Sequence, residues 1–432
     1  MSLKNKIKTR FPALVPASHK ARGFLAHYLY GQPSRKMEVI GITGTNGKTT
    51  TCHLVASILE AAGAKVGMST TTTHKVADKI WANTSNMTTI SPFKLQAVLR
   101  QMANESCQYA IIETTSHAIS QYRNFGIQYK VAAMTNVTHD HLDYHGTFEN
   151  YLSEKLKLFA NEPDLAVINL DDPAADQFLA MKAKYQLTYA INKRADVVAR
   201  KILLDSKGST FTIVLPSGQI TVELKLPGNF NIYNALSAAA ICYGLGVSPE
   251  AIKKGLEAVP AVPGRMEKVE AGQDFTVIID YAHTPDALEK VYSALRDSAK
   301  GKMIAVLGAC GDRDKSKRPI MGALAARFAD AVIVTDEEPY GEDPNEIIAQ
   351  VASGVLSGAK ADKMKEGENF FIIKNRREGI RKALELARNG DLVIITGMGA
   401  QEFRVVAGKH LPWVEKKVVA DELQKLGYIK KN

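Results

Sequence analysis

The stretch Gly41-Ile42-Thr43-Gly44-Thr45-Asn46-Gly47-Lys48-Thr49 constrains this chain more than any other. An apolar, β-branched run, KMEVIGIT (36–43), leads into it, and a helical pattern from about Thr49 to Ala62 follows it. Strand, glycine-rich turn and helix in that order form the repeating unit of a parallel α/β sheet. Glycines let backbone N–H groups approach phosphate oxygens, and the helix N-terminus adds favourable partial charge. Read this way, Gly44, Thr45, Asn46, Gly47, Lys48, Thr49 and Thr50 cradle a nucleotide. Lys48 neutralises its β/γ phosphates and Thr49 ligates Mg²⁺. Ile42 stands where the strict form of the pattern has its first glycine. A kinase, an ATPase and a ligase all use such a loop.

The α/β pattern continues beyond it. YAIIET (109–114), YKVAAMTN (129–136) and DLAVINL (164–170) read as buried strands, as do FTVIIDY (275–281), KMIAVLG (302–308), DAVIVTD (330–336) and DLVIITG (391–397). Residues 196–226 alternate instead, with turn signals at Lys207-Gly208 and Ser217-Gly218, which predicts a small antiparallel meander. The expected fold is α/β: a phosphate-loop, parallel-sheet domain carrying the meander, then a Rossmann-like C-terminal α/β domain. The turn-rich VPAVPGRME (259–267) marks the junction, giving a linker at 1–36, a central domain at 37–264 and a C-terminal domain at 265–432.

Composition narrows the function classes. A chain of 432 residues is too long for one compact core. No apolar run approaches the roughly 18 residues of a membrane span. The N-terminus, MSLKNKIKTRFPALVPASHK, is basic but lacks the apolar stretch of a signal peptide. The cysteines Cys52, Cys107, Cys242 and Cys310 are scattered, which fits a reducing cytoplasm better than a disulfide framework or a zinc site. A net charge of +10 suits anionic substrates or, equally, a solvated basic surface. No dense basic block interleaved with aromatics is present, so nucleic acid is not an expected partner.

Further blocks follow the loop: IIETTSHAISQYR (111–123), TNVTHDHLDYHGTFENYLSEKLKLF (135–159), PGNFNIYNALSAAA (227–240), VPGRME (262–267), IIDYAHTPDAL (278–288) and GACGDRDKSKRPIM (308–321). In this order, from about residue 23 to the end, they resemble the Mur ligase family, and within it the MurE type. The resemblance implies an ATP- and Mg²⁺-dependent ligase that phosphorylates a carboxylate and lets an amine attack the acyl-phosphate. Both steps concentrate negative charge, which cations stabilise.

The resemblance also implies roles. Glu113 becomes a Mg²⁺ ligand at a strand's C-terminal edge, where α/β sites lie, and His141 a ligand of a second metal. Lys155 takes the place of a carbamylated lysine, with Lys157 near enough to confuse the register; otherwise a helical lysine is a solvated surface residue. Lys48, His141 and Lys155 are thus the expected catalytic residues. Asn231 and Asn234 lie near the nucleotide base or merely cap their helix. Arg265 reaches a phosphate, Asp280 the ribose, and His283 lines the same cleft, with the C-terminal domain closing over the nucleotide. Thr88, Thr89, Ser116, Gln121, Arg123, Arg313, Glu338, Tyr340 and Gln401 are the implied substrate contacts.

Two departures from the family matter. Only FLAHYLYGQPSRKMEVIG resembles the tail of a domain that holds UDP in MurE-type enzymes, so weak uridine recognition is expected. The family's Asp-Asn-Pro-Arg block reads Glu337-Glu338-Pro339-Tyr340, and its Gly-Lys-Gly-His-Glu block reads Gly397-Met398-Gly399-Ala400-Gln401. An arginine fork would bind a distal carboxylate, whereas Tyr340 donates one hydrogen bond. Glu337, Glu338, Glu342 and Asp343 favour a side-chain ammonium, although Glu342 and Asp343 also read as loop charges capping a helix near Pro344. With Arg313 left for the α-carboxylate, a basic L-amino acid is expected over meso-diaminopimelate; Lys317 or Arg318 would replace the arginine if the reverse held. The expected enzyme is a cytoplasmic monomer acting on a muramyl-peptide-like carboxylate, with no membrane partner. Two alternatives stand beside it: a relative with a non-UDP acceptor, folylpolyglutamate-synthase-like or cyanophycin-synthetase-like, and a non-catalytic scaffold. Intact Lys48, Glu113, His141 and Lys155 argue against the scaffold.

Overall fold

Two twisted sheets, each covered by helices on both faces, build the molecule. The structure is a computed structural model that describes residues 14–85, 87–205, 208–358 and 361–428. The basic segment 1–13 and the turn residue Lys207 lie outside the described residues.

The strands of the first sheet are β1 (Glu38–Thr43), β2 (Val66–Ser69), β3 (Thr73–Val76), β4 (Lys79–Ala82), β5 (Tyr109–Glu113), β6 (Val131–Met134), β7 (Leu165–Asn169), β8 (Tyr185–Ala190), β9 (Val197–Leu204), β10 (Ser209–Leu215) and β11 (Gly218–Leu224). They lie in the order β11-β10-β9-β8-β7-β6-β1-β5-β2-β3-β4. The centre is parallel, with β1 between β5 and β6, and both edges are antiparallel. Residues 196–226 form the expected meander, but as an extension of the main sheet: β9 pairs in parallel with β8. Burial alternates along β1. Ile40 and Ile42 face the helices Lys48–Ala61 and Asn229–Gly244, while Val39 faces the side covered by Pro92–Asn104. Period-two alternation of this kind is what two helix layers impose on a central strand.

The second sheet holds β12 (Glu267–Lys268), β13 (Thr276–Asp280), β14 (Met303–Leu307), β15 (Ala331–Val334), β16 (Phe370–Ile372) and β17 (Leu392–Thr396), in the order β12-β13-β17-β14-β15-β16. All but β12 run parallel. A separate two-stranded hairpin, β18 (Phe403–Val406) and β19 (Lys409–Pro412), follows. Side-chain caps open several of its helices: Thr284 accepts from Ala287 N before Pro285–Ser298, and Asp343 accepts from Asn345 N before Pro344–Ser357. Among the described residues no helix is long and apolar enough to cross a membrane.

Candidate active site

At the C-terminal edge of β1 the chain turns through Gly44 (φ +149°) and Gly47 (φ +84°) into the helix Lys48–Ala61. A Cβ on Gly44 would meet Thr135 Oγ1 at 1.9 Å, and one on Gly47 would meet Asn234 Oδ1 at 2.2 Å. Only glycine allows both the conformation and the approach. The turn is braced from β6: Thr45 N donates to Asn136 O (2.7 Å), Asn46 N to Asn136 Oδ1 (3.0 Å), and Thr135 Oγ1 to Asn46 O (2.7 Å). Lys48 Nζ bends back onto Gly44 O (3.0 Å) and Thr45 O (2.7 Å), and burial lowers its pKa. The ammonium thus sits against the loop's carbonyls at the start of a helix, the end of a helix that favours an anion.

Beside it, register pairs Ile42 with Glu113, the last residue of β5. The Glu113 side chain is buried and accepts from Thr49 Oγ1 (3.0 Å), Thr71 N (2.8 Å) and Thr71 Oγ1 (3.0 Å). Arg265, from the far side of the inter-sheet cleft, donates through Nη2 to Thr49 Oγ1 (3.1 Å). A buried carboxylate and a hydroxyl in contact form the hard oxygen set that suits Mg²⁺. Thr71 was not singled out from the sequence; it lies in a run of threonines that carries no motif signal.

Lys155 corrects the default reading of a helical lysine as a solvated residue. Its side chain is 1% exposed, donates to Gly44 O at 2.6 Å and lies 4.4 Å from the Tyr151 ring. Burial, then the charge of Lys48, pushes its pKa well down. Lys157, the competing register, points outward and pairs with Glu154. His141, at φ +55°, faces the same Tyr151 ring from 6.1 Å and lies 3.4 Å from Asp140. Burial lowers the pKa of His141 and brings that of neighbouring His117 down to about 4.

The predicted substrate residues of the first sheet form a shelf next to Glu113. Thr88 accepts from Thr71 Oγ1 (3.0 Å), Thr89 Oγ1 donates to Glu113 O (2.8 Å), and Arg123 donates to Thr89 O (2.7 Å) and Gln121 Oε1 (2.7 Å). Ser116 Oγ lies 3.0 Å from His145 Nε2.

A cavity of about 1070 Å³ opens between the two sheets, and Asn46, Gly47, Thr50, Asn231, Asn234, Arg265 and Asp280 line it. The N-cap of the helix Asn229–Gly244 is Gly228, without a side-chain bond, so neither asparagine performs the capping task. Asn231 donates to Pro227 O (2.7 Å) and Asn234 to Asn231 Oδ1 (2.9 Å). Both Asp280 oxygens receive backbone N–H groups, from Met266 and Ala282, each at 2.7 Å. Its carboxylate therefore fixes the turn that carries Arg265. Asp171, Asp172 and Asp286 also line this cavity and were not picked out from the sequence. Asp286 Oδ2 accepts from Asn46 Nδ2 (2.6 Å), Thr138 Oγ1 (3.2 Å) and Lys290 Nζ (2.9 Å), tying the phosphate loop to the second sheet's first helix.

A smaller cavity of about 330 Å³ takes His283, which therefore leaves the cleft assigned to it from the sequence. Alternation explains the move. Along one segment Asp280, Ala282 and Asp286 face the large cavity, while Tyr281, His283, Thr284 and Pro285 face the small one. Arg313, Lys317, Glu337, Glu338, Tyr340 and Gln401 share the small cavity. Glu337 is 2% exposed, and its Oε2 has no hydrogen-bond partner among the described residues. Burial, then the charge of Glu337, raises Glu338 to about 7. Glu342 does not join them: it pairs with fully buried Arg318 and with Lys315, and hydrogen bonding to Arg318 holds its pKa down to about 2. Asp343 is the helix cap. Arg318, committed to Glu342, Gln350 and Cys310 O, is no substitute for the missing arginine, whereas Lys317 does face the cavity.

Known proteins resemble this chain in sequence and fold. The Mur ligase middle domain matches residues 42–242, and the Mur ligase glutamate ligase domain matches residues 264–399. A UDP-N-acetylmuramyl-tripeptide synthetase of Roseiflexus sp. (strain RS-1) is 42% identical, over 96% of this chain and 84% of its own length. A UDP-N-acetylmuramoyl-L-alanyl-D-glutamate–2,6-diaminopimelate ligase of Geobacillus thermodenitrificans (strain NG80-2) is 40% identical over 91% of this chain and 80% of its own. A solved structure of a ligase with that same description superposes with a TM-score of 0.63 at 30% identity, over 94% of this chain and 83% of that one. The folylpolyglutamate synthase of Mycobacterium tuberculosis, complexed with ADP, shares the fold with a TM-score of 0.71 at 20% identity, over 96% and 95% of the two chains. This chain belongs to the Mur ligase family, the ATP-dependent amide-forming ligases that add amino acids to peptidoglycan precursors.

Proposed function

We propose that this chain joins a basic L-amino acid to the terminal carboxylate of a UDP-N-acetylmuramyl-peptide, in the cytoplasm and as a monomer. One observation carries the reading: the two cavities share walls. Thr135, Asn136 and Thr138 face the large cavity while His139, Asp140 and His141 face the small one, and residues 280–286 divide in the same way. A nucleotide in one and an amino acid in the other would meet across these segments. The wall between them supports the assignment of residues 37–264 and 265–432 to two domains that close on each other.

In this reading Asn231, Asn234 and Asp280 hold the nucleoside end, and the phosphates lie along Gly44–Thr50 with Lys48 and Arg265. Thr49 and Glu113 would hold Mg²⁺, which supplies positive charge to the transferring phosphoryl group. His141 and Lys155 would serve a second ion. The buried Lys155 amine, with its lowered pKa, is suited to attack CO₂, losing a proton and becoming an anionic carbamate. Thr88, Thr89, Ser116, Gln121 and Arg123 orient the acceptor carboxylate. Arg313 takes the amino acid's α-carboxylate, and the acids of the small cavity take its side-chain ammonium, with Tyr340 and Gln401 beside them. The test is phosphate release with ATP, Mg²⁺, UDP-muramyl-dipeptide and a panel of amino acids. L-lysine or L-ornithine should give the highest kcat/KM, and a higher value for meso-diaminopimelate would overturn the amino-acid assignment.

A further inference from the structure

The acidic turn at 336–340 is held from outside its own sheet. Four contacts join it to β18 of the two-stranded hairpin. Arg404 Nε donates to Glu337 O (2.6 Å), and Arg404 Nη2 pairs with the Asp336 carboxylate. Val405 N donates to Glu338 Oε1 (3.0 Å), and Tyr340 N donates to Val405 O (3.1 Å). Behind the turn, fully buried Arg376 pairs with fully buried Glu415 and donates to Thr396 O (2.8 Å). From the opposite side Gly311 N donates to Glu338 O (2.8 Å) and Cys310 Sγ to Glu337 Oε1 (3.1 Å), so the turn is clamped between this loop and the hairpin, and the hairpin alone supplies a charged fork. The Glu337 carboxylate is the group with most to lose, since one of its buried oxygens has no partner among the described residues. A buried acceptor keeps its aim only if the backbone bearing it is fixed.

We propose that Arg404 is a positioning residue for amino-acid selection: its planar fork locks the Asp336–Glu337 backbone, so that Glu337 and Glu338 present their carboxyl groups to the small cavity. The proposal rests on the reading of that cavity as the amino-acid site. A fork bonded to a carbonyl and a carboxylate at once fixes both distance and plane, which a lysine ammonium does not.

The test measures KM and kcat for the amino acid, and KM for ATP, in the full chain and in Arg404→Met, Arg404→Lys and Asp336→Asn, using whichever amino acid the unmodified chain uses best. Arg404→Met should raise the amino-acid KM about tenfold, the scale of one lost charged hydrogen bond, while KM for ATP changes less than about twofold. Arg404→Lys and Asp336→Asn should fall between. An unchanged amino-acid KM in folded Arg404→Met, or a parallel rise in both KM values, overturns the proposal. If Arg404→Met does not fold, the two milder variants decide by the same criterion. A non-basic amino acid as best substrate would end the ammonium reading alone, because the split between the two KM values still reports on Arg404.

Discussion

The phosphate loop and the acidic turn sit a few residues from a shared wall, yet they are held by different means. The loop is a backbone device. Its glycines, its helix start and its brace at Thr135-Asn136 place main-chain groups, and a contiguous motif specifies most of it. The turn is held by groups far away in sequence: the Arg404 and Arg376 side chains, the Val405 main chain, and Cys310 and Gly311. Under the proposed function, the difference means that the amino-acid side should be retunable without disturbing phosphoryl transfer.

Four measurements would break or sharpen this contrast. The largest effect should come from Lys155→Ala, which should lower kcat at least about a thousandfold by removing charge stabilisation at the phosphoryl site. Stability should fall by only about 1 kcal/mol, because alanine also removes a buried amine whose charge is penalised. Short carboxylic acids in the assay should restore part of the rate. Wild-type turnover in this variant would end the assignment.

Glu337→Gln comes next. It keeps the shape and removes the charge, so KM for a basic amino acid should rise about ten- to a hundredfold, with KM for ATP unchanged. Equal loss for both substrates would mean that the turn and the loop are not separable.

The third measurement is a pH profile. Glu338 titrates at about 7 because burial and Glu337 disfavour its charge. A raised carboxyl pKa means that the group is neutral below that pH. Affinity for an ammonium side chain should therefore weaken as pH falls from 8 to 6, by about three- to tenfold, and Glu338→Gln should flatten the dependence. A flat profile in the unmodified chain would remove Glu338 from recognition.

The smallest effect belongs to Asp286, which reaches Asn46 and Thr138 across the cleft and pairs with Lys290 on its own helix. Asp286→Ala should raise KM for ATP about threefold and leave the amino-acid KM alone, since a half-exposed contact of this kind contributes about 1 kcal/mol or less. A larger change in the amino-acid KM would show that the bridge serves both cavities.

Particular residues show where sequence reasoning stopped. Asp343-Pro344 carried a helix-start signal, and the structure uses Asp343 as the cap. Glu342 shared that reading, but the structure commits it to Arg318, from another helix and 24 positions away. His283 lay in a segment whose neighbours do line the large cavity, but an extended chain sends successive side chains to opposite sides. Nothing local distinguishes Lys155 from an exposed lysine; Tyr151 and Gly44 O bury it only once the helix docks on the loop.

The sequence by itself determined the strand, turn and helix at residues 38–61, the two parallel sheets and the location of the phosphate loop. Those follow from local pattern: β-branched runs, glycines at strained turns and caps before helices. Tertiary structure alone decided that the meander continues the main sheet, that residues 135–141 and 280–286 divide two cavities, and that the hairpin at 403–412 holds the acidic turn. These depend on pairing between segments distant in the chain, where burial and hydrogen-bond satisfaction are settled by the whole packed molecule and leave no periodic trace in any one stretch.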